Sequence, residues 1–431
     1  MSADAGGGYR LRSFRPRRVD GAADEDTAAW LEAAAFTFLQ PAPTAEHMAR
    51  VSASFAAEDR VLTGAYTVDA PPDAWDVRRP VATYAAFVKS MNVGAGNALD
   101  VHLIADVTVR ATHRRRGLLR AVISADLRRA AADGTAMAAL HASEATIYER
   151  FGFGPAVFGR HVEVDTRRFA LRHPPAGRVE VTDPAGLLKS APRVFDRFHA
   201  RTIGSITRQA FYPSKIAGIW AEDRPLPDPS VRAALHYDPA DRVDGYVTYR
   251  VVGPPGPPGT IEVVDLVSAS PSAYLGLWEY LASVDLITLA GYRQAPVTDP
   301  LPWAVRDRRG FRVVGVEDVI WLRVLDPVAA LRARGYRADG EVRIAISDPL
   351  DIADGTYHLV VRDGAPTVTD TGGTPADVSM DVSAFSSLYL GGVRASALAT
   401  AGRITARSQA ALEEFDALMS HEAVPHCITQ F

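Results

Sequence analysis

The sequence predicts a mixed α/β (α+β) chain in three parts. Two similar strand-and-helix units stand in tandem, the second degenerate, and a separate α+β domain follows. Three observations carry this reading. The chain has 431 residues, enough for about three domains at roughly 100–200 residues each. A strand–turn–helix unit occurs twice: Ile104-Ala-Asp-Val-Thr-Val aligns with Val263-Val-Asp-Leu-Val-Ser, each with an aspartate inside an apolar strand. From Asp326 onward the pattern changes to short strands followed by helices. The expected divisions are 1–165, 166–325 and 326–431.

In the first unit, Asp24 to Leu39 reads as an amphipathic helix with Trp30, Leu31, Ala34, Ala35 and Phe38 on one face. Val61 to Val68 and Val81 to Val88 read as strands, and Gly94-Ala-Gly96 as a turn. Asn97 to Val109 is a longer strand, with alternate residues Val101 to Val109 on one side. A tight Arg-Arg-Arg-Gly turn leads into helix Leu118 to Ala132, stopped near Asp133-Gly134. Met137 to His141 is a short buried strand, Ala145 to Arg150 a short helix closed by Phe151-Gly-Phe-Gly154, and Val157 to Val164 a strand.

In the second unit, Pro184 to Arg201 is helical. Val231 to Tyr237 and Asp244 to Val252 form a hairpin, and Gly253 to Gly259 is a proline-rich loop. Strand Thr260 to Val267, helix Pro271 to Val284 and another short strand follow, as in the first unit. Ala269-Ser-Pro-Ser replaces the arginine-rich turn, so the second copy is expected to lack that turn's chemistry. In the last domain, helix Pro327 to Arg334 precedes strands near Glu341–Ile346, Gly355–Val361 and Pro366–Thr369. Helices cover Ser383–Tyr389, Ala395–Ala401 and Ser408–Met419, and the tail from His421 is irregular.

Composition narrows the function. Hydrophobic residues make up 47% and charged residues 23%, with a net charge of −4. That profile suits a soluble globular protein, disfavours nucleic-acid binding and is compatible with cationic small substrates. No run of about 18 apolar residues suggests a membrane span, and Met1 to Gly8 lacks the features of a secretory signal. Cys427 is the only cysteine, which excludes an intrachain disulfide and fits a reducing, cytoplasmic setting. No P-loop motif is present. His421, His426 and Cys427 lack metal-ligand spacing, so no metal is expected.

The chemistry concentrates between Asp106 and Arg120. A helix N-terminus preceded by glycine suits a pyrophosphate: free backbone N–H groups point outward, and glycine lets the anion approach. The amides from Arg115 to Leu119, through Arg116, Gly117 and Leu118, supply that cradle. Arg115, Arg116 and Arg120 add charge at its rim. The preceding strand, Val107, Thr108 and Val109, can pair with the amides of an extended arm, and the Val109 N–H can meet a thioester carbonyl where negative charge develops. Ser143-Glu144 and Tyr148 follow after one helix and one strand, at the other end of the same ligand.

Both segments resemble the GNAT acetyltransferase superfamily. Arg114-x-x-Gly117-x-Leu119 is similar to its phosphate loop, with Leu119 in place of the usual small residue. Val-Thr-Val-x-x-Thr-His-Arg-Arg-Arg-Gly-Leu-Leu-Arg, with Ser-Glu-x-x-Ile-Tyr-x-Arg-Phe-Gly, resembles more closely the Eis (enhanced intracellular survival) family of aminoglycoside N-acetyltransferases. Ala111 departs from its frequent proline. The resemblance spans the chain. It implies an active GNAT domain, a degenerate GNAT-like domain and a sterol-carrier-protein-like domain, with acetyl-CoA as co-substrate.

It further implies Tyr148 as the general acid that protonates coenzyme A and the α-carboxylate of Phe431 as general base, through water. Burial near an apolar ring would raise that carboxylate from about 3.5 and make it a better base. The expected amine channel is acidic and aromatic, with Asp24, Glu25, Asp26, Trp30 and Phe36 as its contributors or else as helix-capping carboxylates and core aromatics, while Gln430 adds no charge there. The implied substrates are amines of aminoglycosides or lysine-like amines, and the implied assembly is a homo-hexamer without nucleic acid or membrane. Two alternatives stand beside this: a GNAT enzyme acting on one metabolite or protein amine, and a non-catalytic coenzyme A or lipid-binding scaffold.

Overall fold

The computed structural model describes residues 2–6, 8–222, 227–253 and 259–431. Most of the proline-rich loop expected at 253–259 lies outside them. The first unit opens with β1 (Ser2–Gly6), β2 (Tyr9–Phe14) and a two-stranded ribbon of β3 (Arg18–Val19) and β4 (Ala22–Ala23). Helices α1 (Glu25–Thr37) and α2 (Ala45–Ala57) follow, then β5 (Val61–Thr67), β6 (Ala82–Gly94) and β7 (Asn97–Val109). Helix α3 (Leu118–Ala132), β8 (Met137–Leu140), α4 (Ala145–Tyr148) and β9 (Gly154–Asp165) complete it.

The second unit runs β10 (Arg178–Thr182), α5 (Leu187–His199), α6 (Tyr212–Ile216), β11 (Arg232–Tyr237), β12 (Val243–Val252) and β13 (Gly259–Ser268). It ends with α7 (Pro271–Ser283), β14 (Ile287–Pro296), α8 (Leu301–Ala304) and β15 (Phe311–Val324). The last part comprises α9 (Pro327–Ala333), β16 (Gly340–Ser347), β17 (Gly355–Arg362), β18 (Ala365–Asp370) and β19 (Val378–Asp381). Helices α10 (Val382–Leu388) and α11 (Ala395–Thr400), β20 (Ile404–Ala406) and α12 (Gln409–Met419) finish it.

The two units share one 13-stranded sheet, ordered β1-β2-β5-β6-β7-β8-β15-β9-β14-β13-β12-β11-β10. In each unit a strand after the bulged hairpin pairs parallel with its successor, β7 with β8 and β13 with β14. The last strands are exchanged. Strand β15 lies antiparallel to β8, and β9 lies antiparallel to β14. A second sheet, β18-β17-β16-β19-β20, belongs to the C-terminal part.

Local chemistry accounts for the elements. Asp24 caps α1 by accepting from the Thr27 N–H at 2.9 Å, with Glu25 and Asp26 in the favourable first turn. Strand β7 alternates. Val101, Leu103 and Ala105 join the core shared with the C-terminal sheet, while Ile104 joins Val122, Ile123 and Leu127 of α3. Several elements were not expected from the sequence: β2, α2, β10 and β15, and the extension of β6 from Val88 to Gly94. Helix α2 buries only a narrow stripe, Val51 and Phe55 among alanines and polar residues, so its periodicity is faint. Residues 313–319 of β15 are largely exposed, so no apolar alternation marks that stretch.

Candidate active site

The site begins at a bulge. The β6–β7 register slips between Thr83 and Ala85, and Asp106 takes a positive φ of 53° there. The Thr83 hydroxyl fastens the bulge by donating to the Asp106 carbonyl at 2.8 Å. Strand β8 pairs with β7 only from His102 to Ile104, so β7 runs on alone to Val109. The Arg110 N–H donates to the Val81 carbonyl at 2.8 Å. In an antiparallel ladder the neighbouring N–H points the opposite way, so that of Val109 faces the gap that β8 leaves.

Beyond β7, Gly117 adopts φ +78° at the N-cap of α3, and no side chain caps the helix. Its first-turn N–H groups therefore remain open to an anion. Arg114, Arg115 and Arg120 make no ion pair among the described residues, and Arg116 bonds the Tyr9 hydroxyl at 2.7 Å. Helix α3 is fixed from below. Asp126 meets His102 of β7 at 2.6 Å and accepts from the Tyr84 hydroxyl of β6 at 2.5 Å. Burial pushes the Asp126 carboxyl up, but these partners and Arg129 outweigh it and hold the group below its ordinary value.

Thirteen of the residues expected to serve acetyl-CoA or the acid step line one cavity of about 580 Å³: Val107, Thr108, Val109, Arg114 to Arg120, Ser143, Glu144 and Tyr148. Tyr148 is buried edge-on to Phe153, with ring centroids 6.2 Å apart. Burial raises its phenol above the ordinary value, with a Ser143 hydrogen bond pulling the other way, so the group is protonated at neutral pH.

A second cavity of about 380 Å³ adjoins the first. Asp106 lines it and its chain neighbour Val107 lines the other, while Phe38 touches both. Trp30, Phe431 and Gln430 line it, together with Phe211, Lys215 and Glu222. The Trp30 Nε1 donates to the Thr63 carbonyl at 2.9 Å, so the ring offers its apolar side. Phe431 packs against His141, ring centroids 4.5 Å apart, and edge-on to Phe87. Burial lowers the His141 imidazole to about 4, and its Nε2 has no hydrogen-bond partner among the described residues.

Of the expected amine-binding residues, Trp30 lines this cavity, while Asp24 caps α1 and Glu25 pairs with Arg78. Asp26 is spent on Arg12, to which its Oδ1 bonds at 2.8 Å, and does not line the cavity. Phe36, 54% exposed, packs tilted against Trp75 with ring centroids 4.7 Å apart. Helical spacing explains Phe36, which projects about 120° away from Trp30; Asp26 shares the face of Trp30 one turn earlier and is drawn off by Arg12. Acidity comes instead from Asp106 and Glu222, bridged by the buried Arg60. Its guanidinium lies 3.8 Å from Asp106 and 3.1 Å from Glu222, over the rings of Phe55 and Phe87. Burial raises the Asp106 carboxyl and lifts Glu222 to about 6, each opposed by Arg60. Asp106 had one sequence signal, a charge amid an apolar strand; Glu222 had none.

No group of three or more His, Cys, Asp or Glu side chains among the described residues is arranged to hold a metal ion. No helix among them is long and apolar enough to cross a membrane.

Residues 18–156 and 212–324 each match a model of an acetyltransferase (GNAT) domain, and residues 327–428 match a sterol carrier protein domain. An uncharacterized N-acetyltransferase of Streptomyces avermitilis is 31% identical over 97% of this chain and 100% of its own length. The N-acetyltransferase Eis of Mycobacterium tuberculosis is 35% identical over 73% of this chain and 77% of its own length. The crystal structure of Eis1 from Mycobacterium abscessus is 28% identical and superposes with a TM-score of 0.79, covering 98% of this chain and 100% of that one.

Proposed function

Because this chain belongs to the Eis family of GNAT N-acetyltransferases and is an acetyl-CoA-dependent enzyme, we propose that it acetylates amines of aminoglycosides or lysine-like amines at the junction of the two cavities. One observation carries this reading. The β7 bulge separates a cationic, open-amide groove holding Tyr148 from an acidic, aromatic pocket holding Phe431.

The groove takes acetyl-CoA, with its pyrophosphate at the N-terminus of α3. Asp106 and Glu222 draw an ammonium group into the pocket, and Trp30, Phe38 and Phe211 give its carbon skeleton apolar contact. The Phe431 α-carboxylate removes a proton from the amine, through water, and the nitrogen forms its bond to the thioester carbon. The Val109 N–H stabilises the resulting oxyanion. The nitrogen then loses its second proton to water, the C–S bond breaks, and the sulfur takes the proton of the Tyr148 phenol, which solvent replaces before the next turnover.

The test is free-thiol release from acetyl-CoA with a panel of aminoglycosides. The unmodified chain is expected to react with several. Tyr148→Phe should lose about 10²–10⁴-fold in kcat while still binding acetyl-CoA. A chain extended by a few residues after Phe431 should bind acetyl-CoA and fail to turn over. Undiminished turnover in either variant removes that residue's role, and no thiol release with any amine removes the whole reading.

A further inference from the structure

The second unit keeps a charged cluster although no arginine-rich turn follows its bulged strand. Arg208 lies over Phe195 and Tyr212, 4.3 and 4.1 Å from the ring centroids, and forks onto Asp265 of β13 at 2.7 and 2.9 Å. The Tyr246 hydroxyl accepts from Arg208 at 2.6 Å and donates to Asp265 at 2.7 Å. This repeats the first unit, where Arg60 lies over Phe55 and Phe87 and faces Asp106 of β7. In the first unit that aspartate lines the amine pocket. In the second it is saturated by hydrogen bonds, and the cluster braces Tyr212.

What leans on Tyr212 is the tail. The Tyr212 hydroxyl donates to the Ile428 carbonyl at 3.0 Å and accepts from the Gln430 N–H at 3.3 Å. Gln209 donates its side-chain N–H to the Gln430 carbonyl at 3.2 Å. The Thr429 hydroxyl donates to the Ile206 carbonyl at 2.6 Å, and the His426 N–H to that of Ile203 at 2.9 Å. Cys427, Ile428 and Thr429 are each no more than 1% exposed, and the next two residues, Gln430 and Phe431, line the amine pocket. The tail leaves α12 in the C-terminal part, crosses the second unit and delivers its end to the first.

We infer that Tyr212 and Gln209 are positioning residues that fix the Phe431 carboxylate in the amine pocket, the second GNAT copy having turned its Arg208–Asp265 pair from substrate binding to holding the tail. The inference rests on the reading of Phe431 as the base. Ordering an irregular tail costs conformational entropy at every residue, and its end acts as a base only when held in reach of the amine. Tyr212 and Gln209 line neither the groove nor the amine pocket, and the hydroxyl and amide that the substitutions remove bond the tail.

The experiment measures kcat, the KM for acetyl-CoA and the kcat–pH profile, with kanamycin as the amine, for Tyr212→Phe, Gln209→Ala and a chain lacking Phe431. Both substitutions should lower kcat by about 10- to 100-fold per folded enzyme. The KM for acetyl-CoA should change less than about twofold, and the acid limb of the profile should shift. Gln209→Ala leaves the Arg208 stack in place and keeps the test valid if Tyr212→Phe folds poorly. A fall in melting temperature alone, with kcat and pH profile unchanged in both variants, overturns the inference. If the chain lacking Phe431 keeps full turnover, the base reading fails first. If that chain is inactive while both substitutions behave as the parent, only the positioning role fails.

Discussion

Glu222 gives the amine pocket a pH dependence that can be reasoned from one side chain. Enclosure lifts its carboxyl from 4.5 to about 6, against the pull of Arg60 and the Ser54 hydroxyl, with Asp106 adding to the rise. The folded chain thus holds a proton that the unfolded chain has already lost. Ionising Glu222 as pH rises through about 6 costs folding stability and adds a negative charge to the pocket. Kanamycin should therefore bind about fivefold more weakly at about pH 5 than at about pH 7, the worth of roughly 1 kcal/mol for a nearby unit charge. Titration calorimetry without acetyl-CoA checks this, with Glu222→Gln expected to bind weakly at both. Equal affinity of the parent chain at the two pH values refutes the role. Residues of this kind were invisible in the sequence, since Glu222 sits in no motif and becomes part of the pocket only because Arg60, 162 residues away, reaches it. Tyr148 and Arg114 to Gly117 were legible because each lies in a short motif whose chemistry is local.

At the scale of the element, α3 shows how a helix end becomes a binding device. Gly117 and Gly134 bracket it with φ of +78° and +83°, and a Cβ added at either would meet nothing within 4 Å. Alanine at each position should therefore cost about the same strain, on the order of 1–2 kcal/mol. Only Gly117 lines the groove proposed for the pyrophosphate. Gly117→Ala should raise the KM for acetyl-CoA severalfold, while Gly134→Ala lowers the melting temperature equally and leaves that KM unchanged. Equal KM values in the two variants would mean that the loop's close approach is unimportant. The bounds of α3 and β7 were read from the sequence residue for residue, because a charged turn and an Asp-Gly stop punctuate a strong pattern. Helix α2 and strand β15 escaped, because their apolar stripes are short and tertiary neighbours complete them.

Across the whole molecule, one buried side chain ties the three parts together. Arg323 of β15, with no exposed surface, donates to the Phe151 carbonyl of the first unit at 2.8 Å and pairs with Asp348 of the C-terminal part at 2.5 Å. Arg323→Met should strand the Asp348 carboxylate in the interior and cost about 3–5 kcal/mol, read as a lower urea midpoint. Adding Asp348→Leu should recover much of the loss, since a well-packed apolar pair is often neutral. An unchanged midpoint in the single variant would show that the parts do not depend on this pair. The same strand carries the exchange that merges both GNAT units into one sheet. Their match to separate regions, 18–156 and 212–324, therefore describes ancestry more closely than packing.

The sequence by itself determined the mixed α/β class, the duplication, the loss of the arginine turn in the second copy and the residues that line the cationic groove. Each of these rests on short-range order, where backbone geometry and helix-end electrostatics act within a few residues. Tertiary structure alone decided the exchanged strands, the acidic pair Asp106 and Glu222, and the displacement of Asp26 and Phe36 from the pocket. It also decided the path of the tail across the second unit to Phe431. Those features depend on which surfaces meet after folding, and a side chain's partners across hundreds of residues leave no local period or spacing to read.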